Sequence, residues 1–170
     1  MGARSPRLLI PALLGAAVVL AAAGGPRLAG QAPASPDERV FGTWRLNVAK
    51  SKFTPGPPYK DQIRTYERHQ DGVKATLKTT YADGHTANIE YVANYDSLEY
   101  PVTGSPDYES IRLKKIDAST SEAVLGHGGN VFATARRVIS DDGKMLTITF
   151  QASESLGRPF RNVMVYERQN

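Results

Sequence analysis

A chain of 170 residues without a cysteine is long enough for one domain and must hold it together by apolar burial, since no disulfide can form. Its formal charge of +4 comes mostly from the start: residues 1–30 contain Arg4, Arg7 and Arg27 and no acid, which leaves 18 Lys+Arg against 17 Asp+Glu in the remainder. With only the pairs Lys114-Lys115 and Arg136-Arg137 as local clusters, the remainder lacks the basic stripe that nucleic acid requires, and such pairs read as solvated strand faces.

The N-terminus has the three-part layout of a secretory signal peptide. Arg4 and Arg7 form a positive region, Leu8 to Ala23 is uncharged, and Ala21, Ala22 and Ala23 supply small residues. Residues 1–30 are therefore expected to be removed on export, to a periplasmic or secreted destination, with cleavage after Ala23, near Gly30 or after Ala34. A membrane anchor is the alternative, but the apolar run falls short of the roughly 20 residues a spanning helix needs and Pro11 interrupts it. No Cys is present to carry a lipid at the new N-terminus. Residues 31–40, rich in Ala, Pro and Ser with mixed charges, cannot bury a core and read as a flexible tether.

From Phe41 onward, short runs with period-2 alternation recur at intervals of about ten residues, the spacing of an all-β meander. Phe41 to Asn47 is the first. Val48 to Lys60 holds Pro55, Pro57 and Pro58, which forbid a helix interior, so a loop with a single turn near Ala49 to Lys52 is expected. Asp61 to His69 follows. In Val73 to Ala82, Val73, Ala75, Leu77, Thr79 and Tyr81 share one face and Lys74, Thr76, Lys78 and Thr80 the other, which predicts a half-buried strand. Asp71-Gly72 and Asp83-Gly84 bracket it with dipeptides that tolerate positive φ. His85 to Ala93 continues with Ala87, Ile89 and Tyr91 inward. A weak strand at Leu98 to Val102 is demoted by Pro101 to an edge or bulge. Ser110 to Asp117, Thr120 to His127, Val131 to Ile139, Met145 to Ala152 and Phe160 to Arg168 complete about ten strands, punctuated by Gly128-Gly129-Asn130 and Asp142-Gly143.

Phe41-Gly42-Thr43-Trp44-Arg45-Leu46 at one end and Val165-Tyr166-Glu167-Arg168 at the other resemble the ends of the fatty-acid-binding proteins and the wider lipocalin (calycin) group. The chain is also similar to small exported bacterial proteins described as lipocalin-like. The resemblance covers residues 41–168 in layout and implies an antiparallel meander β-barrel of 8–10 strands, occupying residues 41–170. It also implies structural roles in barrel closure for Gly42, Trp44 and Arg168: the tryptophan closes the floor, and the arginine covers it where first and last strands meet. Two departures limit what it implies about a ligand. The Pro-rich Val48 to Lys60 stands where those proteins place a two-helix lid. Their Arg-x-Tyr on the last strand is here Met164 and Tyr166, so the tyrosine is present and the arginine that would grip a carboxylate is not.

Ten strands enclose more space than eight, whose interior side chains just fill, and Ala75, Ala87, Ala93 and Ala123 on the inner faces fill little. Parity nominates the lining of such a cavity: Tyr81, Tyr91, Ile148, Phe150, Asn162, Met164 and Tyr166, with Leu146 and Phe160 on the same faces. The competing expectation is a dry sandwich about 10 Å thick.

No nucleophile elbow, P-loop or Cys nucleophile occurs, and no catalytic residue or cofactor is assigned. His69 and His85 lie at opposite ends of one strand, about 30 Å apart at roughly 3.3 Å per residue, and cannot share a metal; no metal site is assigned. Asp96, Glu99, Asp107 and Glu109 read as turn chemistry. No Asn-x-Ser/Thr acceptor occurs. The leading expectation is a non-enzymatic exported protein that binds a small apolar ligand in its interior. The alternative is an interaction module with a filled core, contacting a macromolecule through exposed Tyr95, Tyr100 and Tyr108. An enzyme that uses the barrel as a container has no residue to support it, and the sequence leaves the oligomeric state open.

Overall fold

The computed structural model describes residues 39–54, 59–152 and 160–170, all within the unit Pro33–Asn170. The expected signal peptide, residues 31–38 of the expected tether and the prolines at 55–58 lie outside the described residues. Ten strands follow one another: β1 (Gly42–Leu46), β2 (Asp61–His69), β3 (Gly72–Thr80), β4 (Thr86–Asn94), β5 (Tyr100–Thr103), β6 (Ser110–Lys115), β7 (Thr120–His127), β8 (Asn130–Ile139), β9 (Met145–Ala152) and β10 (Arg161–Gln169). Each pairs antiparallel with its successor, and β1 pairs with both β2 and β10, so the sheet closes into a barrel. Closure leaves no sheet edge exposed. It also excludes the flattened dry sandwich.

Alternation decides which side chains go in. On β3, Val73, Ala75, Leu77 and Thr79 are buried, and on β4 Ile89, Tyr91 and Ala93, as expected for half-buried strands. The largest fully buried side chains are Trp44, Tyr66, Tyr166, Leu77, Leu146, Met164 and Val73. Of these, Tyr66, Leu77 and Met164 also line the interior cavity, and Trp44 anchors a packed floor at the end where β1 begins. Trp44 donates its indole Nε1 to the Val40 carbonyl at 2.8 Å, so Val40, the last residue of the expected tether, is buried in that floor. Arg168, opposite Trp44 in the β1–β10 register, places its guanidinium carbon 4.2 Å from the indole centroid. It donates to the carbonyls of Phe41 at 2.8 Å and Gly143 at 2.7 Å, and also to that of Arg39. Gly42 makes room for this bridge: its φ is +123°, and a Cβ there would come within 2.8 Å of the Arg168 guanidinium.

Two local expectations change. In the β2–β3 turn the left-handed residue is Gln70, at φ 48°, whereas Gly72 is needed because a Cβ would stand 2.2 Å from the Ala93 carbonyl. The weak strand runs from Tyr100 to Thr103 and pairs at only two positions on each side, because Pro101 has no N–H to give the ladder. Asn47 caps a short 3₁₀ turn at Val48–Lys50, accepting from the Lys50 amide, near the turn expected at Ala49 to Lys52. Among the described residues no helix is long and apolar enough to cross a membrane.

Candidate ligand chamber

Above the packed floor the barrel keeps a cavity of about 80 Å³. Leu77, Ile89, Ile111, Leu113, Leu125, Ile148 and Met164 form its apolar wall, and Tyr59, Tyr81, Asp107, Tyr108 and Phe150 join them. The surplus expected of ten strands is largely filled, because tyrosines and two arginines, Arg64 and Arg137, project inward among the small alanines.

Both arginines are consequences of register. Residues directly opposite in an antiparallel pair point to the same face. Arg64 stands opposite Leu77, and Arg137 opposite Ser121 and Ile148, so each must enter the barrel with its apolar or small partners. Arg136, one residue earlier, points out and pairs with Glu122 at 2.6 Å. The reading of Arg136-Arg137 as a solvated cluster therefore holds for only one member.

Inside, the Arg64 Nε donates to Gln62 Oε1 at 2.9 Å and to the Tyr166 hydroxyl at 3.0 Å, while Nη1 donates to the Tyr66 hydroxyl at 3.3 Å. The Tyr166 hydroxyl in turn donates to Gln62 Oε1 at 2.5 Å, and Gln62 Nε2 to Thr79 Oγ1 at 2.6 Å. Arg137 donates to the Tyr95 hydroxyl at 2.5 Å, and its guanidinium carbon lies 5.0 Å from the Tyr66 ring centroid. Tyr66 is thus held between two cations. Among the described residues no carboxylate comes within ion-pair distance of either.

Most of the chamber's phenols hold their protons more tightly than a free tyrosine. Burial pushes Tyr59 up to about 12 and raises Tyr91, Tyr108 and Tyr166 as well. Tyr66 moves the other way: burial opposes its ionisation, but Arg64 and Arg137 outweigh it. Desolvation works against the charges on Arg64 and Arg137, yet the surrounding phenol oxygens more than offset it and both stay protonated. Asp107, in the cavity wall, has its carboxyl raised by burial. The chamber is an apolar space with two guanidiniums and one reluctant acid, and among the described residues no carboxylate pairs with either cation.

Of the nominated lining residues, the structure brings Tyr81, Tyr91, Ile148, Phe150 and Met164 to the cavity. It does not bring two others. Tyr166 is fully buried beside the cavity, bonded to Gln62 and Arg64, and Asn162 turns its Oδ1 to the Thr54 amide at 3.1 Å. Two of the tyrosines proposed as exposed contacts are likewise turned inward: Tyr95 bonds Arg137, and Tyr108 lines the cavity. Tyr100 donates to Asp96 at 2.6 Å. Of the acids read as turn chemistry, Asp96 and Glu109 accept from the Leu98 and Gly128 amides and Glu99 pairs with Arg112, whereas Asp107 lines the chamber. Gln62, Arg64 and Tyr66 were missed because β2 is polar on both faces and carries no sign of which turns inward, and Arg137 because its pairing with Arg136 in sequence masked the apolar face it shares with Ala133, Ala135 and Ile139. The available signal for β2 was the hairpin: a loop at Asp71-Gly72 would set Arg64 against Thr79 and the observed loop at Gln70-Asp71 sets it against Leu77, both of them on the inward face of β3.

Fold and site together define a closed ten-strand β-barrel with an arginine- and tyrosine-lined internal chamber. No family model matches the chain, and none of the curated proteins matches it. Among solved structures it is similar to a redesigned β-barrel, mFAP1, bound to DFHBI, with 13% identity over 79% of this chain and 99% of that one and a TM-score of 0.43.

Proposed function

We propose that this is an exported, non-enzymatic binding protein whose barrel holds a compact organic anion, its acidic head on Arg64 and Arg137 and its apolar body against Ile89, Leu113, Ile148 and Phe150. The observation that carries this reading is the pair of enclosed guanidiniums with no carboxylate partner among the described residues. An uncompensated buried charge is costly, and a ligand carboxylate would supply the bidentate partner that guanidinium geometry favours. The resemblance to fatty-acid-binding proteins suggested that a carboxylate grip was missing because Met164 stands at the arginine position; here β2 and β8 offer the cations instead.

Size narrows the ligand. A single water needs roughly 10–15 Å³ of such space, so a cavity of about 80 Å³ suits an aromatic or short branched acid rather than an extended acyl chain. The five tyrosines and one phenylalanine of the wall suit a planar body. Export rests on the signal-peptide layout of residues 1–30.

The test is a titration of the purified protein with benzoate and with the anionic fluorophore 1-anilinonaphthalene-8-sulfonate, alongside native mass spectrometry for a co-purifying acid. Saturable one-to-one binding that is lost in Phe150→Asp and weakened at least about tenfold in Arg64→Met supports the reading. Absence of binding, or equal affinity for benzyl alcohol and benzoate, would overturn it.

A further inference from the structure

A second and larger cavity, of about 270 Å³, opens at the floor end between the β2–β3 turn, the β6–β7 turn and Phe41. Two residues line both cavities: Arg137 and Ser121, which face each other across β7 and β8. They form a polar partition. Ser121 is only 7% exposed, and it lines both cavities, so its hydroxyl can serve as a hydrogen-bonding group at the partition. The Arg137 fork donates to Tyr95, also engages the Tyr66 phenol, and finds no carboxylate among the described residues. Its remaining N–H groups are available to whatever occupies either space.

The rest of the wall favours negative charge. Arg68, stacked over Phe41 at 4.8 Å, and Lys115 contribute cations, each with interactions of its own. The two acids present do not cancel this. Asp117 is committed to its own turn, accepting from the Ser119 and Thr120 amides at 2.8 Å each, and Asp71 is exposed to solvent.

We infer that the floor cavity is a second binding site, for a small oxyanion held by the Arg137 guanidinium and the Ser121 hydroxyl, and that it competes with the interior ligand for Arg137. The floor site stands on these contacts alone; the competition also rests on the interior reading given above.

The experiment follows amide chemical shifts of the full chain during titration with inorganic phosphate, with benzoate as the interior probe. Phosphate should shift Ala118, Ser119, Thr120, Ser121 and Arg137 saturably and raise the apparent Kd for benzoate. Ala118 is an exposed floor-lining residue, so Ala118→Glu places an acid at the rim. It should weaken phosphate at least about tenfold while leaving benzoate affinity within about twofold and removing the competition. Arg64→Met should do the reverse, weakening benzoate and sparing phosphate. Arg137→Lys keeps the charge without the fork and should weaken both. The floor site is overturned if phosphate shifts are absent, or if they persist unchanged in Ala118→Glu and vanish in Arg64→Met, which would place the anion in the interior. Phosphate binding at 118–121 without any benzoate binding would retain the floor site and reject the interior reading and the competition.

Discussion

Arg64 Nε donates to the Tyr166 hydroxyl at 3.0 Å while its guanidinium carbon stands 5.1 Å from the centre of the same ring. One guanidinium thus uses both the edge and the face of a fully buried tyrosine. Phenol oxygens and a π face solvate a cation, but they do not neutralise it.

The energetic consequence is a conflict between stability and binding. Arg64→Met removes the enclosed charge at similar length, and Gln62 still accepts from Tyr166. The unliganded variant should be more stable by about 1–2 kcal/mol, as a higher urea midpoint at unchanged slope. A loss of several kcal/mol instead would mean that the cation is structural.

Trp44 is a purely architectural residue here. It is fully buried, hydrogen-bonded to Val40 and covered by Arg168. Trp44→Ala should cost about 3–5 kcal/mol and lower the Tm accordingly in a thermal scan.

Asp107 provides a pH signature. Its folded carboxyl titrates above the ordinary 3.8 because burial disfavours the charge, so the folded state holds the proton more tightly. The stability it contributes is present below 3.8 and is lost as pH rises through the folded value. Asp83, Asp96, Asp117, Asp142 and Glu167 have the opposite sign: hydrogen bonds lower each of them, and their contribution is lost as pH falls. Asp107→Asn isolates the first effect. It should raise the urea midpoint at pH 7 relative to the parent and leave the two proteins closer at pH 3, and it should tighten benzoate binding by removing a like charge from the chamber wall.

β5 is the weakest part of the closure, with two paired positions on each side against nine between β2 and β3. Hydrogen exchange should therefore be fastest among the strands at Tyr100–Thr103 and slowest in β3. Equal protection of the two would show that the sheet opens only as a whole.

Much of the architecture was legible in the residues. Alternation in Val73 to Ala82 and in Met145 to Ala152, with turn residues between the runs, was enough for the strand order, because one apolar face must be buried whatever the partner. The resemblance of the two chain ends to calycins pointed to Trp44 and Arg168, and the structure brings them into contact. The binding chemistry was not legible in this way. Arg64 sits on a strand whose two faces are both largely polar, so periodicity cannot say which face turns inward, whereas Arg137 shares its face with Ala133, Ala135 and Ile139, an alternation that the reading of Arg136-Arg137 as a solvated pair passed over. For Arg64 only cross-strand register, against Leu77, decides it; for Arg137 register against Ser121 and Ile148 agrees with the alternation. Cavity size likewise depends on how far those two side chains and the tyrosines reach across a closed sheet. Local pattern in the sequence determined that the chain would wrap round itself, because burial of one face per strand is a local demand. Tertiary closure decided that two cations with no carboxylate partner among the described residues would meet at its centre, because the environment of a charge is set by what stands opposite it.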